Sequence, residues 1–194
     1  MAGYKFVSRD NDNDFAKSLS SSGTDDITIK TLDGNSGTIS KSSIKAVTFK
    51  NDGSMQSIPD YFLCNCENFN NSLTISISNL IGHFFMKNCT AFNSSLTINS
   101  CSSIYGGFMY NCTAFNSPLT INSCSSIGFS KYLDVYGFMY NCEKFNQPLT
   151  LPSNLSKIYD YRTYSDIYYS YFLFNCKNFN NYIYCPGHSS RPTE

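Results

Sequence analysis

Apolar and polar residues alternate in short runs along most of this chain, and the runs recur. In "SLTIN", Ser95–Asn99, and "PLTIN", Pro118–Asn122, the order polar–apolar–polar–apolar has the two-residue period of a half-buried strand. The pattern turns Leu73/Ile75, Leu96/Ile98, Leu119/Ile121 and Leu149/Leu151 inward. It turns Thr74, Thr97, Thr120 and Thr150 outward as a column. Just upstream, "FMYNCTAF" places Phe108, Cys112 and Phe115 four and then three residues apart. That is a helical spacing, and it predicts one short α or 3-10 turn per unit.

These runs belong to one repeat, Phe-[Leu/Met]-x-Asn-Cys-x-x-Phe-Asn-x-x-[Leu/Ile], which begins at Phe62, Phe85, Phe108, Phe138 and Phe172. Cys66, Cys89, Cys112, Cys142 and Cys176 mark its register at spacings of 23, 23, 30 and 34 residues. Two asparagine columns accompany them. One is Asn65, Asn88, Asn111, Asn141 and Asn175, and the other is Asn70, Asn93, Asn116, Asn146 and Asn180. A unit this short buries its apolar face only against its neighbours, so the units must stack. Successive strands would then lie ~4.8 Å apart in a parallel sheet. The last copy departs from the pattern, with Tyr184 where Thr stood, as a capping repeat would.

Residues 1–50 have a different composition and read as an N-terminal cap that shields the first open unit. "YKFV" and "DITIK" are expected strands, and "NDFAKSLS" an expected helix capped by Asn13 or Asp14. The repeat array occupies 51–185, and 186–194 reads as a mobile tail. The two lengthened spacings mark insertions. The second holds Tyr159, Tyr161, Arg162, Tyr164, Asp166, Tyr168 and Tyr169, the chemistry of a recognition loop. The alternative is that these tyrosines pack down on a flank of the array.

The composition narrows the function classes. The chain has 14 basic and 14 acidic residues and no Lys/Arg run, which argues against a nucleic-acid partner. Solubility rests on Ser, Thr and Asn. The cysteine column is read as buried packing, because zinc needs four converging ligands and this chain offers only Cys64-x-Cys66. Cys101 and Cys124 form a second, shorter column, and Cys64 and Cys185 fit neither. "DNDND" at 10–14 resembles the start of a calcium loop, but Phe15 and Ser21 stand where Gly and Glu are needed. His83 and His188 are the only histidines, and no nucleophile motif or phosphate-binding loop accompanies them. No metal, cofactor or catalytic residue is assigned.

The repeat resembles the leucine-rich repeats of the BspA-like, or treponemal, class over roughly 44–185. The resemblance implies a right-handed arc with its parallel sheet on the concave face. It also implies surface adhesion, since such repeats are common in bacterial and protist surface proteins and occur in phage-encoded ones. The fold expected is therefore an α/β repeat solenoid of five leucine-rich repeats with short helical turns and an N-terminal cap.

The function expected is non-enzymatic recognition or adhesion, binding a protein or glycan at a cell or virion surface. A structural virion component or an intracellular interaction scaffold is the alternative. Candidate contacts are the 159–169 tyrosine insert and a strand face of Thr74, Thr97, Thr120, Thr150, Asn99 and Asn122. No membrane insertion is expected, because no apolar run approaches ~18 residues. The N-terminus has no secretory pattern. The expected location is the virion or cytoplasm, or a cell surface reached by another route.

Overall fold

The computed structural model describes residues 4–7, 12–20, 26–30, 35–49, 54–129, 137–158 and 172–186. The first third contains the only helices among them. Strand β1 (Tyr4–Val7) is followed by helix α1 (Asp12–Leu19), strands β2 (Asp26–Lys30) and β3 (Ser36–Ser40), a 3-10 turn at Lys41–Ser43, and β4 (Ile44–Thr48). β1 pairs parallel with β4, and β2 pairs antiparallel with β3. α1 begins at Asp12, so the expected caps Asn13 and Asp14 fall inside it.

This segment covers the first repeat unit. Phe49 stacks on Phe62 with centroids 5.8 Å apart, and Phe15 meets Phe49 edge-on at 5.6 Å. Lys41 is fully buried, yet its ammonium donates to the carbonyls of Tyr61 (3.0 Å) and Phe62 (3.2 Å). A buried cation needs such partners, and these carbonyls belong to the unit's open side.

From residue 54 on, the chain is mostly parallel β-structure, with neighbouring strands contributed by successive repeats. The strands are β5 (Leu73–Ser76), β6 (Leu80–Ile81), β7 (Leu96–Tyr105), β8 (Met109–Tyr110), β9 (Leu119–Ile121), β10 (Cys124–Phe129), β11 (Met139–Tyr140), β12 (Leu149–Thr150), β13 (Lys157–Ile158) and β14 (Ile183–Tyr184). They form three parallel ladders.

One ladder carries the Leu-Thr-Ile runs, with Leu73, Leu96 and Leu119 side by side and Leu149 beside Ile183. A second runs Leu80, Ser103, Ser126, Lys157 in the order β6–β7–β10–β13. The third carries the Phe-Met segments, where β8 pairs β11. There, backbone bonds run Leu63 N–H to Phe85, Met86 to Phe108, Met109 to Phe138 and Met139 to Phe172, at 2.8–3.1 Å.

Sequence inspection missed the second ladder as a sheet, because "NSCSSI" is too polar to read as a buried strand. The third ladder replaces the expected helical turns. Each unit bends there through a short turn from Cys to Phe, and the first unit shows a second turn before it, rather than a helix. Cys66 N–H closes on the Leu63 carbonyl at 3.1 Å, and Phe69 N–H closes on that of Cys66 at 3.0 Å. Within the first of these Asn65 has φ +63°, and the matching Asn88, Asn111, Asn141 and Asn175 have φ of 56–61°. A left-handed residue cannot continue a right-handed helix, and asparagine is a residue that tolerates it. The spacing that resembles a helix comes from a turn.

The core consists of like residues stacked on like. Phe62, Phe85, Phe108, Phe138 and Phe172 form one column, with centroids 4.9–5.4 Å apart from ring to ring. Phe69, Phe92, Phe115, Phe145 and Phe179 form another at 5.4–5.8 Å. Adjacent strands set this spacing, so each identical ring lands offset on the one below. The predicted inward residues from Leu73 to Leu151 are buried.

Candidate functional site

The strand face stands as the alternation predicts. Thr74 aligns with Thr97 and Thr97 with Thr120. Thr150 aligns with Tyr184 in the last unit. Thr74, Thr120 and Thr150 are exposed and Thr97 half-buried. Among the described residues none of the four hydroxyls is engaged in a hydrogen bond. The row is therefore a line of free donors and acceptors at strand spacing.

Beside it, Asn99 donates its amide to Ser76 Oγ (3.0 Å) and Asn122 donates to Asn99 Oδ1 (3.2 Å). These asparagines hold one another in place. The exposed Asn122 ends that line, and its own carbonyl oxygen accepts no bond among the described residues. Tyr184, the partner of Thr150, is 58% exposed, with Tyr182 near it in sequence at 63%. Both were passed over in the sequence, because the last repeat departs from the pattern there. The signal was the substitution of Tyr for Thr at a position known to face out.

The tyrosine insert, from Tyr159 to Tyr169 with Arg162 and Asp166, lies outside the described residues. So does His188.

The cysteine column is buried and free, as are Cys64, Cys101 and Cys124, while Cys185 is half-exposed. Its thiols do more than fill space. Cys89 donates to the Leu63 carbonyl (3.1 Å), Cys112 to Met86 (2.9 Å) and Cys142 to Met109 (3.1 Å). Each S–H thus donates to a carbonyl of the unit below, adding a side-chain bond across each of these interfaces. Burial pushes the Cys66 thiol up to about 12 and raises Cys89, Cys112 and Cys142 as well. They remain protonated donors at neutral pH. Cys101 and Cys124 face each other across β7 and β10, and contact with Cys124 together with burial holds the Cys101 thiol up.

The asparagine columns make two different ladders. Asn88 donates its amide to Asn65 (2.8 Å), Asn111 to Asn88 (3.1 Å), Asn141 to Asn111 (2.8 Å), and Asn175 to Asn141. In the second column Asn70, Asn93, Asn116 and Asn146 each accept the backbone N–H of the asparagine one unit on, all at 2.8 Å. Both columns lock successive units together, whereas the threonine hydroxyls and the Asn122 side-chain oxygen are unengaged among the described residues.

His83 is buried. Its backbone N–H donates to Asp60 Oδ1 at 2.8 Å, and its Nδ1 lies 3.4 Å from the same oxygen. This bond ties one unit to the next. Among the described residues no group of three or more His, Cys, Asp or Glu side chains is placed to hold a metal ion, and no helix is long and apolar enough to cross a membrane. No protein-family model, curated protein or solved structure matches the chain.

Proposed function

We propose that this chain is a leucine-rich-repeat solenoid of the BspA-like kind, curved so that the Leu-Thr-Ile ladder lines its concave face. Its function in this reading is non-enzymatic recognition or adhesion, with a protein or glycan as ligand. The observation that carries the proposal is the in-register row of Thr74, Thr97 and Thr120, with Thr150 aligned to Tyr184 in the last pair of strands, all four threonine hydroxyls being unengaged among the described residues. Exposed amides at Asn99 and Asn122 flank the row. A neutral row of hydroxyls and amides suits partners that present hydroxyls, amides or backbone. Net charge zero supports the same class over phosphate-rich partners. The 159–169 insert is the second contact in this proposal, on the strength of its tyrosines.

The test is binding of labelled, purified chain to intact candidate host cells and to immobilised glycans. Replacing the four threonines by valine keeps shape and strand propensity while removing the hydroxyls. If two hydrogen bonds to ligand are lost at about 0.5–1.5 kcal/mol each, affinity should fall about tenfold. A second variant replaces 159–169 by a Gly/Ser link. Undiminished binding by the valine variant would refute the strand-face assignment, and loss in the link variant would move recognition to the insert. Absence of binding by the folded wild-type chain would favour a component of a larger assembly instead.

A further inference from the structure

The two ends of the array differ. At the first unit, Phe49 lies on the Phe62 ring and Lys41 takes the exposed carbonyls. At the last unit, among the described residues, Phe172 and Phe179 are stacked on one side only, on Phe138 and Phe145, and both are partly exposed.

The interfaces between units share a recurring set of bonds, of which the leucine N–H bond is missing only at Leu119 among the described residues. The N–H groups of Leu63, Met86, Met109 and Met139 donate forward, as do those of Asn65, Asn88, Asn111 and Asn141, and those of Leu73, Leu96 and Leu149. The first-column asparagine accepts the next amide, and the second-column asparagine accepts the next backbone N–H. In the last unit the same atoms belong to Leu173, Asn175, Ile183 and Asn180. Among the described residues the N–H groups of Leu173, Asn175 and Ile183 and the Oδ1 atoms of Asn175 and Asn180 have no partner.

We propose that this end face is a docking site for one further repeat unit. That unit would be an extended segment with the Phe-[Leu/Met]-x-Asn-Cys-x-x-Phe-Asn-x-x-Leu pattern, added in parallel register. The lower interfaces specify the occupant atom by atom. Two rings would cover Phe172 and Phe179, one amide would meet Asn175 Oδ1, and one backbone N–H would meet Asn180 Oδ1. The mode is strand addition at an open edge, in which backbone bonds give affinity and ring positions give selectivity. A second copy of this chain is disfavoured as the occupant, because its matching side is covered by Lys41 and Phe49.

The experiment titrates full-length protein into a labelled, reduced peptide copying residues 106–128 and follows fluorescence anisotropy. Saturable binding is expected, and a peptide with serine at its two phenylalanine positions should bind at least tenfold more weakly. Ile183→Pro removes a donor that faces away from β12, a position where an edge strand tolerates proline. Asn180→Ala removes only the forward-facing Oδ1, since its backbone N–H serves Asn146. Each variant should weaken binding at least tenfold, and Asn180→Ala should do so with an unchanged thermal transition, whereas Ile183→Pro also gives up side-chain packing against the core. The threonine-to-valine variant should bind the peptide normally, which separates this site from the strand face.

Equal affinity in Ile183→Pro and Asn180→Ala would overturn the proposal, as would failure to bind up to the peptide's solubility limit. A dimer of wild-type chain by sedimentation, lost in Asn180→Ala, would also overturn it by assigning the face to a second copy.

Discussion

Asn111 shows how one residue type can satisfy several demands at once. Its backbone sits at φ +58°, its amide donates to Asn88, and its carbonyl oxygen accepts from Asn141. Alanine would lose both side-chain bonds and, without the polar side chain, would tolerate the left-handed region less well. Asn111→Ala should therefore lower the unfolding free energy by about 2–4 kcal/mol. Asn111→Gly loses the same bonds but keeps the backbone at ease, and should cost about 1 kcal/mol less than alanine. Urea denaturation of the pair decides it. Glycine more damaging than alanine, as in an ordinary strand, would contradict the left-handed turn.

Within the Phe-Met ladder the buried thiols form an element of their own. Cys66, Cys89, Cys112 and Cys142 all have their acidities suppressed in the fold, chiefly by burial. The sign follows directly. Above the thiol's ordinary range the unfolded chain releases protons that the folded chain retains, so stability falls as pH rises. Between pH 8 and pH 9.5 each such thiol should remove about 1 kcal/mol, and the four together about 4 kcal/mol. Denaturant unfolding at the two pH values measures it, and a Cys89→Ala/Cys112→Ala chain should lose about half that dependence. A flat profile would mean that the thiols ionise freely in the folded state.

Over the whole molecule, stability should grade along the stack. Phe108 is buried between Phe85 and Phe138, each 5.0 Å away, whereas among the described residues Phe172 has a ring on one side only. Phe108→Ala should cost about 3–5 kcal/mol, and Phe172→Ala about 1–2 kcal/mol. Equal losses, read by thermal or denaturant unfolding, would show that the end unit is as enclosed as the middle. The gradient and the docking face have one origin, since the last unit is built like the others but covered on one side.

What the sequence determined by itself was whatever repeats. The inward Leu and Ile, the outward Thr, the stacked Phe columns and the parallel pairing all follow from one pattern recurring at 23 residues. A short repeat can bury its apolar face only against its copies. The candidate threonine row was legible for the same reason, because a two-residue period assigns faces without reference to anything distant.

The tertiary structure decided three other matters. The Phe-Asn-Cys segment is a ladder with a left-handed turn, since a spacing of four and three fits either a helix or a bend and only φ separates them. "NSCSSI" joins a sheet, since its bonds come from the backbone of neighbouring units rather than from apolar side chains. The last unit leaves donors and acceptors unmet, since whether a backbone group has a partner depends on what lies beside it in space.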